Sequence, residues 1–265
     1  MFTLEQVVPW GRSFDEYRRM FALRDDDLAL RILGCGDGPA SFNAEATRRG
    51  VRVTSCDPIY RWDAAQIRER IEATYQEIVE QTRQNANEFV WTSIRSVDEL
   101  GSVRMLAMNE FLNDFPAGKA QGRYVDAALP TLPFADKSFD LALSSHFLFL
   151  YTIQLGMDFH RAAVREMCRI ANEVRIFPLL ALGGRRSAFV DIVASELVES
   201  GCEVSIDNVP YEFQRGGNQM MGIRRPPSMA NIQTEPMRAS SLASYFQKER
   251  NHAIRRELGE QKWGH

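Results

Sequence analysis

A chain of 265 residues is long enough for one α/β domain with a modest appendage. Hydrophobic content of 45% beside 25% charged residues argues against wholesale disorder, and a formal charge of −3 gives nucleic acid no electrostatic invitation. The opening "MFTLEQVVPWGRSFDEYRR" has no basic stretch ahead of a long apolar core, and the most apolar window, 141–151, is too short to span a bilayer. A cytoplasmic protein without a membrane span is expected.

The four cysteines, Cys35, Cys56, Cys168 and Cys202, form no CxxC pair, and the four histidines share no ligand spacing with them. Reduced thiols and no metal centre are the expectation.

In chain order, apolar runs of strand length alternate with segments of helical period, which is the pattern of a parallel sheet covered by helices. Strands are expected at 29–34, 52–56, 122–127, 139–145, 174–180, 203–209 and 219–224. The last two are separated only by "PYEFQRGGN", too short for a crossover helix, so the final strand should run antiparallel to a neighbour. Helix starts are marked by Ser13 with Glu16, Asp63 with Gln66, and Ser96 with Glu99, each spaced as a capping box.

The first strand runs into "LGCGDGP", with Gly34, Gly36 and Gly38 in five residues and Pro39 where a helix would begin. Glycines there let a ligand approach the backbone, and a following helix offers free N–H groups. Dinucleotide enzymes use G-x-G-x-x-G; here the third glycine comes one position early. After the second strand, Asp57 is placed to accept hydrogen bonds from ribose hydroxyls in either cofactor class.

About 65 residues separate the second and third strands, against roughly 30 for a whole simple βαβ unit. Two helices are expected within the insertion, 61–120. One carries Ile67, Ile71, Tyr75, Ile78 and Val79; the other carries Leu100, Val103, Ala107, Phe111, Leu112 and Phe115. They serve either as extra cover on the sheet or as a lid over a ligand cleft.

His146, just after the fourth strand, sits at the carboxyl edge where open α/β sheets bind ligands, and its ordinary pKa suits proton transfer near neutrality. A backbone-bonding role is the alternative. Tyr151 is a weaker candidate, and His160 reads as a surface residue of a helix. Asp136, Ser138 and Asp140 read as turn and strand-start residues. From 226 the composition turns to Pro, Ser and polar residues, read as a flexible or surface-docked tail, with partner binding as the alternative.

"LGCGDG" at 33–38, "CDP" at 56–58 and "LPFADKSFDLALSSHFLFLY" at 132–151 resemble class I S-adenosylmethionine (SAM)-dependent methyltransferases, notably those of ubiquinone biosynthesis and other small-molecule chemistry. The resemblance covers about 29–224. It implies one domain over 1–225 with a Rossmann-like, seven-stranded, mostly parallel sheet. SAM would lie against Gly34, Cys35, Gly36, Asp37, Gly38, Asp57, Pro58, Ala128, Leu129 and Ser145, and His146, from its place at the sheet edge, is the candidate for a base if one is used. The chain departs from the family where an acid usually precedes the first loop glycine by two residues (Ile32) and near the adenine (Ala128); backbone groups, or Asp37 and Asp126 close by, are the substitutes. The implied activity is methyl transfer to a small molecule. The alternative is a SAM-binding module that acts through its insertion or tail with little catalysis.

Overall fold

A computed structural model describes residues 8–224 of the chain; the expected tail at 226–265 lies outside the described residues. Seven strands form one sheet: β1 (Arg31–Cys35), β2 (Arg52–Cys56), β3 (Tyr124–Val125), β4 (Phe139–Ser145), β5 (Ala171–Phe177), β6 (Glu203–Asn208) and β7 (Gln219–Arg224). Their spatial order is β3-β2-β1-β4-β5-β7-β6. β1 to β5 pair in parallel, while β7 runs antiparallel between β5 and β6. The reversed strand follows from the short β6–β7 connection, which leaves no chain for a crossover. Strand order switches direction at β1 and β4, so the carboxyl ends of these strands flank a natural ligand crevice.

The central strands are buried on both faces and read as continuous apolar runs, as parallel sheets require. Period-two alternation then sorts their side chains. Ile32, Leu141 and Leu143 meet α1 (Phe14–Met20) and α3 (Phe42–Arg48) through Phe14, Tyr17 and Phe42. Leu33, Ala142 and Val174 face the opposite way, onto α6 (Thr152–Ile170) and α7 (Phe189–Glu199). A short helix, α2 (Asp25–Leu28), leads into β1. Its Asp27 makes a buried ion pair with Arg175 of β5 at 3.1 Å.

Some bounds differ from the sequence expectation. β1 starts at Arg31 instead of 29, because residues 29 and 30 close the last turn of α2 through bonds to Asp26 and Asp27 carbonyls. β3 shrinks to two residues, since β2 offers it only Ser55 and Cys56 as partners. β5 begins three residues early, directly on the end of α6. Pro39 does not open a helix; α3 starts at Phe42 after Ser41.

The insertion between β2 and β3 holds α4 (Ala64–Gln84) and α5 (Val97–Ala120). Asp63 and Gln66 complete the capping box of α4. At α5, Ser96 accepts from Glu99 N–H, but the Glu99 carboxylate reaches one residue further back, to Arg95. The carboxyl-terminal half of α5 packs Phe111 and Phe115 against Tyr60 and Tyr124 as cover beside the sheet. Its first half does something else.

Candidate functional site

Three segments converge at the carboxyl ends of β1, β2 and β4. The first is the glycine loop. Gly36 adopts φ +70° and its N–H donates to the Cys56 carbonyl at 2.9 Å, tying the loop to the end of β2. A Cβ on Gly36 would lie 3.0 Å from the Phe147 ring, so the loop has room for neither a side chain nor an ordinary φ. Gly38 also has positive φ, but a Cβ there would meet nothing within 4 Å; this position opens into a cavity.

The second segment is the end of β2. Asp57 Oδ2 accepts from Gly38 N–H and Oδ1 from Ile59 N–H, each at 2.9 Å, so one carboxylate clamps the loop and caps the turn at Pro58–Arg61. Each oxygen retains a lone pair after these bonds. Asp37 is tucked beneath Gly34, where a Cβ would collide with its carboxylate. It accepts from Tyr17 Oη at 2.9 Å and Ser55 Oγ at 2.6 Å. Burial pushes both carboxyls up to about 6, against the opposing pull of these donors.

The third segment follows β4. His146 has φ +53°, held by its N–H bond to the Phe177 carbonyl at 2.7 Å. Its Nδ1 lies 3.0 Å from Ser145 Oγ. Burial, with the charges of Arg12 and Arg104 nearby, drives the imidazole well below its ordinary pKa. The ring is therefore neutral near pH 7, and a weaker base than its residue type alone suggests.

These segments wall a cavity of about 190 Å³. Of the residues expected to hold a cofactor, Gly36, Asp37, Gly38, Asp57 and Ser145 line it, together with His146. Gly34, Cys35, Pro58, Ala128 and Leu129 stand behind or beside it and do not line it. Gly34 and Cys35 belong to β1, with Cys35 in register with Cys56. Leu129 is buried among Cys56, Leu132 and Phe139, and Ala128 bridges to Thr131. Ile32, at the family's acidic position, is core beneath Phe14 and Tyr17. Asp37 is the acid that reaches the cavity there. Tyr151 also lines the wall.

His160 is a correction: it is fully buried, not a surface residue. Its Nε2 accepts from Phe149 N–H at 3.1 Å while Nδ1 lies 2.6 Å from the Gly156 carbonyl, across a break in α6 where Gly156 has φ +73°. It is a structural pin. Asp136, Ser138 and Asp140 are turn and strand-start residues: Asp140 pairs with Arg31 at 2.9 Å and Asp136 with Arg169 at 2.6 Å.

The sequence reading missed much of the opposite wall. Val8, Pro9, Trp10 and Arg12 contribute from before α1, Arg70, Ile78 and Thr82 from α4, and Leu100 and Arg104 from α5. The expected stripe of α5 passes through Val103, but the structure turns Arg104 inward instead, to 1% exposure. The signal was present, since Arg104 stands at i+4 from Leu100 and i−3 from Ala107. Arg104 donates to Glu16 at 2.7 Å, and Tyr211 donates to the other Glu16 oxygen at 2.9 Å.

The roof is clasped. The stretch after α4 lies against the β6–β7 connection through a Phe89–Gln214 bridge and a Val90 N–H bond to the Phe213 carbonyl at 2.7 Å. Phe213 packs on Phe89 at 5.0 Å and edge-on to Trp91 at 5.5 Å. The insertion is thus both cover, at one end, and cavity wall, at the other. Among the described residues, no helix is long and apolar enough to cross a membrane.

No family model matches the chain. Solved structures with a similar course include the magnesium protoporphyrin IX methyltransferase of Synechocystis with bound SAM, at 11% identity, covering 80% of this chain and 91% of that one, with a TM-score of 0.41. Another is a putative SAM-dependent methyltransferase of Methanococcus maripaludis, at 11% identity over 84% of this chain and 85% of that one, with a TM-score of 0.37. The fold assignment rests on the strand order and the reversed β7, not on these overlaps. In sequence, the chain is 35% identical over 223 residues to an uncharacterised protein of Methanocaldococcus jannaschii, covering 84% of this chain and 98% of the archaeal one. The chain belongs to the same family as that archaeal protein, and its fold is that of the class I SAM-dependent methyltransferases.

Proposed function

We propose that the protein is a SAM-dependent methyltransferase acting on a small molecule. One observation carries the reading: the side-chain-free bend at Gly36–Gly38 and the Asp57 carboxylate border a single cavity at the sheet's switch point. The residues fit the cofactor. Gly38 leaves open space, and Asp57 keeps acceptor capacity after its two backbone bonds, as two ribose hydroxyls need. Asp37, at the base of the loop, is the acid available to an ammonium group in place of the family acid missing at Ile32. SAM supplies a methyl group on a sulfonium, already a good leaving group.

The work left to the chain is alignment and exclusion of water. The clasped roof and the wall from Trp10, Ile78 and Leu100 serve the second need. His146 is placed to accept a proton at the cavity wall; as a neutral imidazole of depressed basicity it suits an acceptor that loses its proton only as the bond to carbon forms. The buried free thiols accord with a cytoplasmic setting.

Calorimetric titration of the full chain with SAM and with S-adenosylhomocysteine tests the reading. Binding of both at one site per chain is expected. Absence of binding to either overturns it.

A further inference from the structure

Two guanidiniums, Arg12 and Arg104, line the cavity wall, and the buried carboxylate that pairs with Arg104, Glu16, stands behind them. Arg12 is brought down to about 10 by burial and by the charge of Arg104, whereas Arg104, though also lowered by burial, is held above its ordinary value by Glu16 and Tyr211. Glu16 is fully engaged, with Arg104, Tyr211, Ser13 N–H and Ser13 Oγ all donating to it within 3.2 Å. Burial raises its carboxyl, but Arg104 and the Ser13 backbone outweigh that and bring it to about 2, so it stays ionised. One carboxylate therefore faces two guanidiniums.

Two other donors of the pair are idle. Arg12 Nη1 donates to the Trp10 carbonyl at 3.0 Å, yet Arg12 Nε and Arg104 Nε are buried with no hydrogen-bond partner. The other carboxyls of the wall bond to neither guanidinium: Asp37 accepts from Tyr17 and Ser55, and Asp57 from backbone N–H groups. A buried guanidinium N–H without a partner is costly, and a bidentate oxyanion is the partner its geometry suits. Beside the pair, Phe89, Leu100, Phe213 and Leu150 give the cavity an apolar lining.

We propose that Arg12 and Arg104 form an oxyanion receptor, and that the methyl acceptor is an organic acid, a carboxylate or phosphate on an apolar body. The acceptor assignment rests on the methyl-transfer reading; the receptor itself does not. A bound cofactor would bring its own sulfonium into the cavity, which adds to the need for an anionic partner.

The test titrates benzoate, phenyl phosphate and neutral benzamide into the full chain, with and without S-adenosylhomocysteine. Wild type is expected to prefer the two acids over benzamide by about tenfold or more. Arg12→Met should abolish the preference and Arg12→Lys should keep part of it. Arg12 is the position to vary, because Arg104→Met would also break the buried pair with Glu16. Equal binding of benzamide and the acids by wild type overturns the receptor, whatever the fate of the variants. So does a preference that survives in a folded Arg12→Met chain.

The cofactor's own carboxylate is the other source of such an anion. If Arg12→Met weakens S-adenosylhomocysteine about tenfold but leaves 5′-methylthioadenosine, which lacks that carboxylate, unchanged, the acceptor assignment is overturned. The two readings fail separately. Loss of cofactor binding with acid preference intact defeats methyl transfer and leaves the receptor; the reverse defeats the receptor alone.

Discussion

Asp57 does two jobs with one carboxylate, and its protonation links them. Burial raises its pKa to about 6, so below that pH the folded chain holds it neutral. Ribose hydroxyls donate best to the ionised form. Affinity for S-adenosylhomocysteine is therefore expected to fall by up to about tenfold per pH unit below 6, the slope of one coupled proton, and to level off above 7. Titrations across pH 5–8 check this, and a flat profile refutes it. Asp57→Asn should flatten the slope, with any residue of it reporting Asp37, which burial also raises to about 6. Gly36→Val is the sharper lesion. The new side chain meets the Phe147 ring and a φ of +70°, a strain of roughly 1–3 kcal/mol, so cofactor binding should be lost while circular dichroism still shows a folded chain. The glycines and Asp57 were readable because backbone freedom and a strand-end acid leave a spacing in the sequence. Arg12, Glu16 and Arg104 were not, because nothing in a capping box or a helical stripe says that its charged members meet across 88 residues.

At the level of elements, the insertion gains its role from contact with the β6–β7 connection. That contact comprises one bridge, backbone bonds from Val90 to Phe213 and from Arg215 to Glu88, Arg215 side-chain bonds to the Asn87 and Phe89 carbonyls, and three aromatic rings centred on Phe213. Phe213→Ala should remove most of the ring packing, and aromatic pairs contribute roughly 0.5–1.5 kcal/mol each beyond their buried area. Hydrogen exchange at the Val90 and Arg215 amides is expected to accelerate, with exchange in β1 and β4 unchanged. Unaltered protection at both amides would show that the clasp is held elsewhere. Both helices of the insertion, their starts and much of their buried faces could be read from period and caps. Which end covers the sheet and which walls the cavity could not, since an apolar stripe does not name the surface it meets. The swap of Val103 for Arg104 on the inner face of α5 shows the same limit at one position.

Across the whole molecule, the order of strands and the reversed β7 followed from alternation and from one connection too short for a helix. What joins the two ends of that sheet is a buried polar knot. Glu16 of α1 receives Arg104 from the insertion and Tyr211 from the β6–β7 connection, binding three separate parts of the chain at one carboxylate. Removing one member of a buried pair strands the other charge. Glu16→Ala is expected to cost about 3–5 kcal/mol, read from the midpoint of urea unfolding. A loss under 1 kcal/mol would mean that water reaches Arg104 in the folded protein.

The placement of Glu16 also bears on how the chain is made. It leaves the ribosome before its partners: Arg104 follows 88 residues later and Tyr211 195 residues later. Until both have emerged, the Glu16 carboxylate lacks the two donors that compensate its burial, although the apolar face of α1 already has β1 to pack on. Full pairing of that carboxylate is thus deferred until Tyr211, between β6 and β7, has emerged.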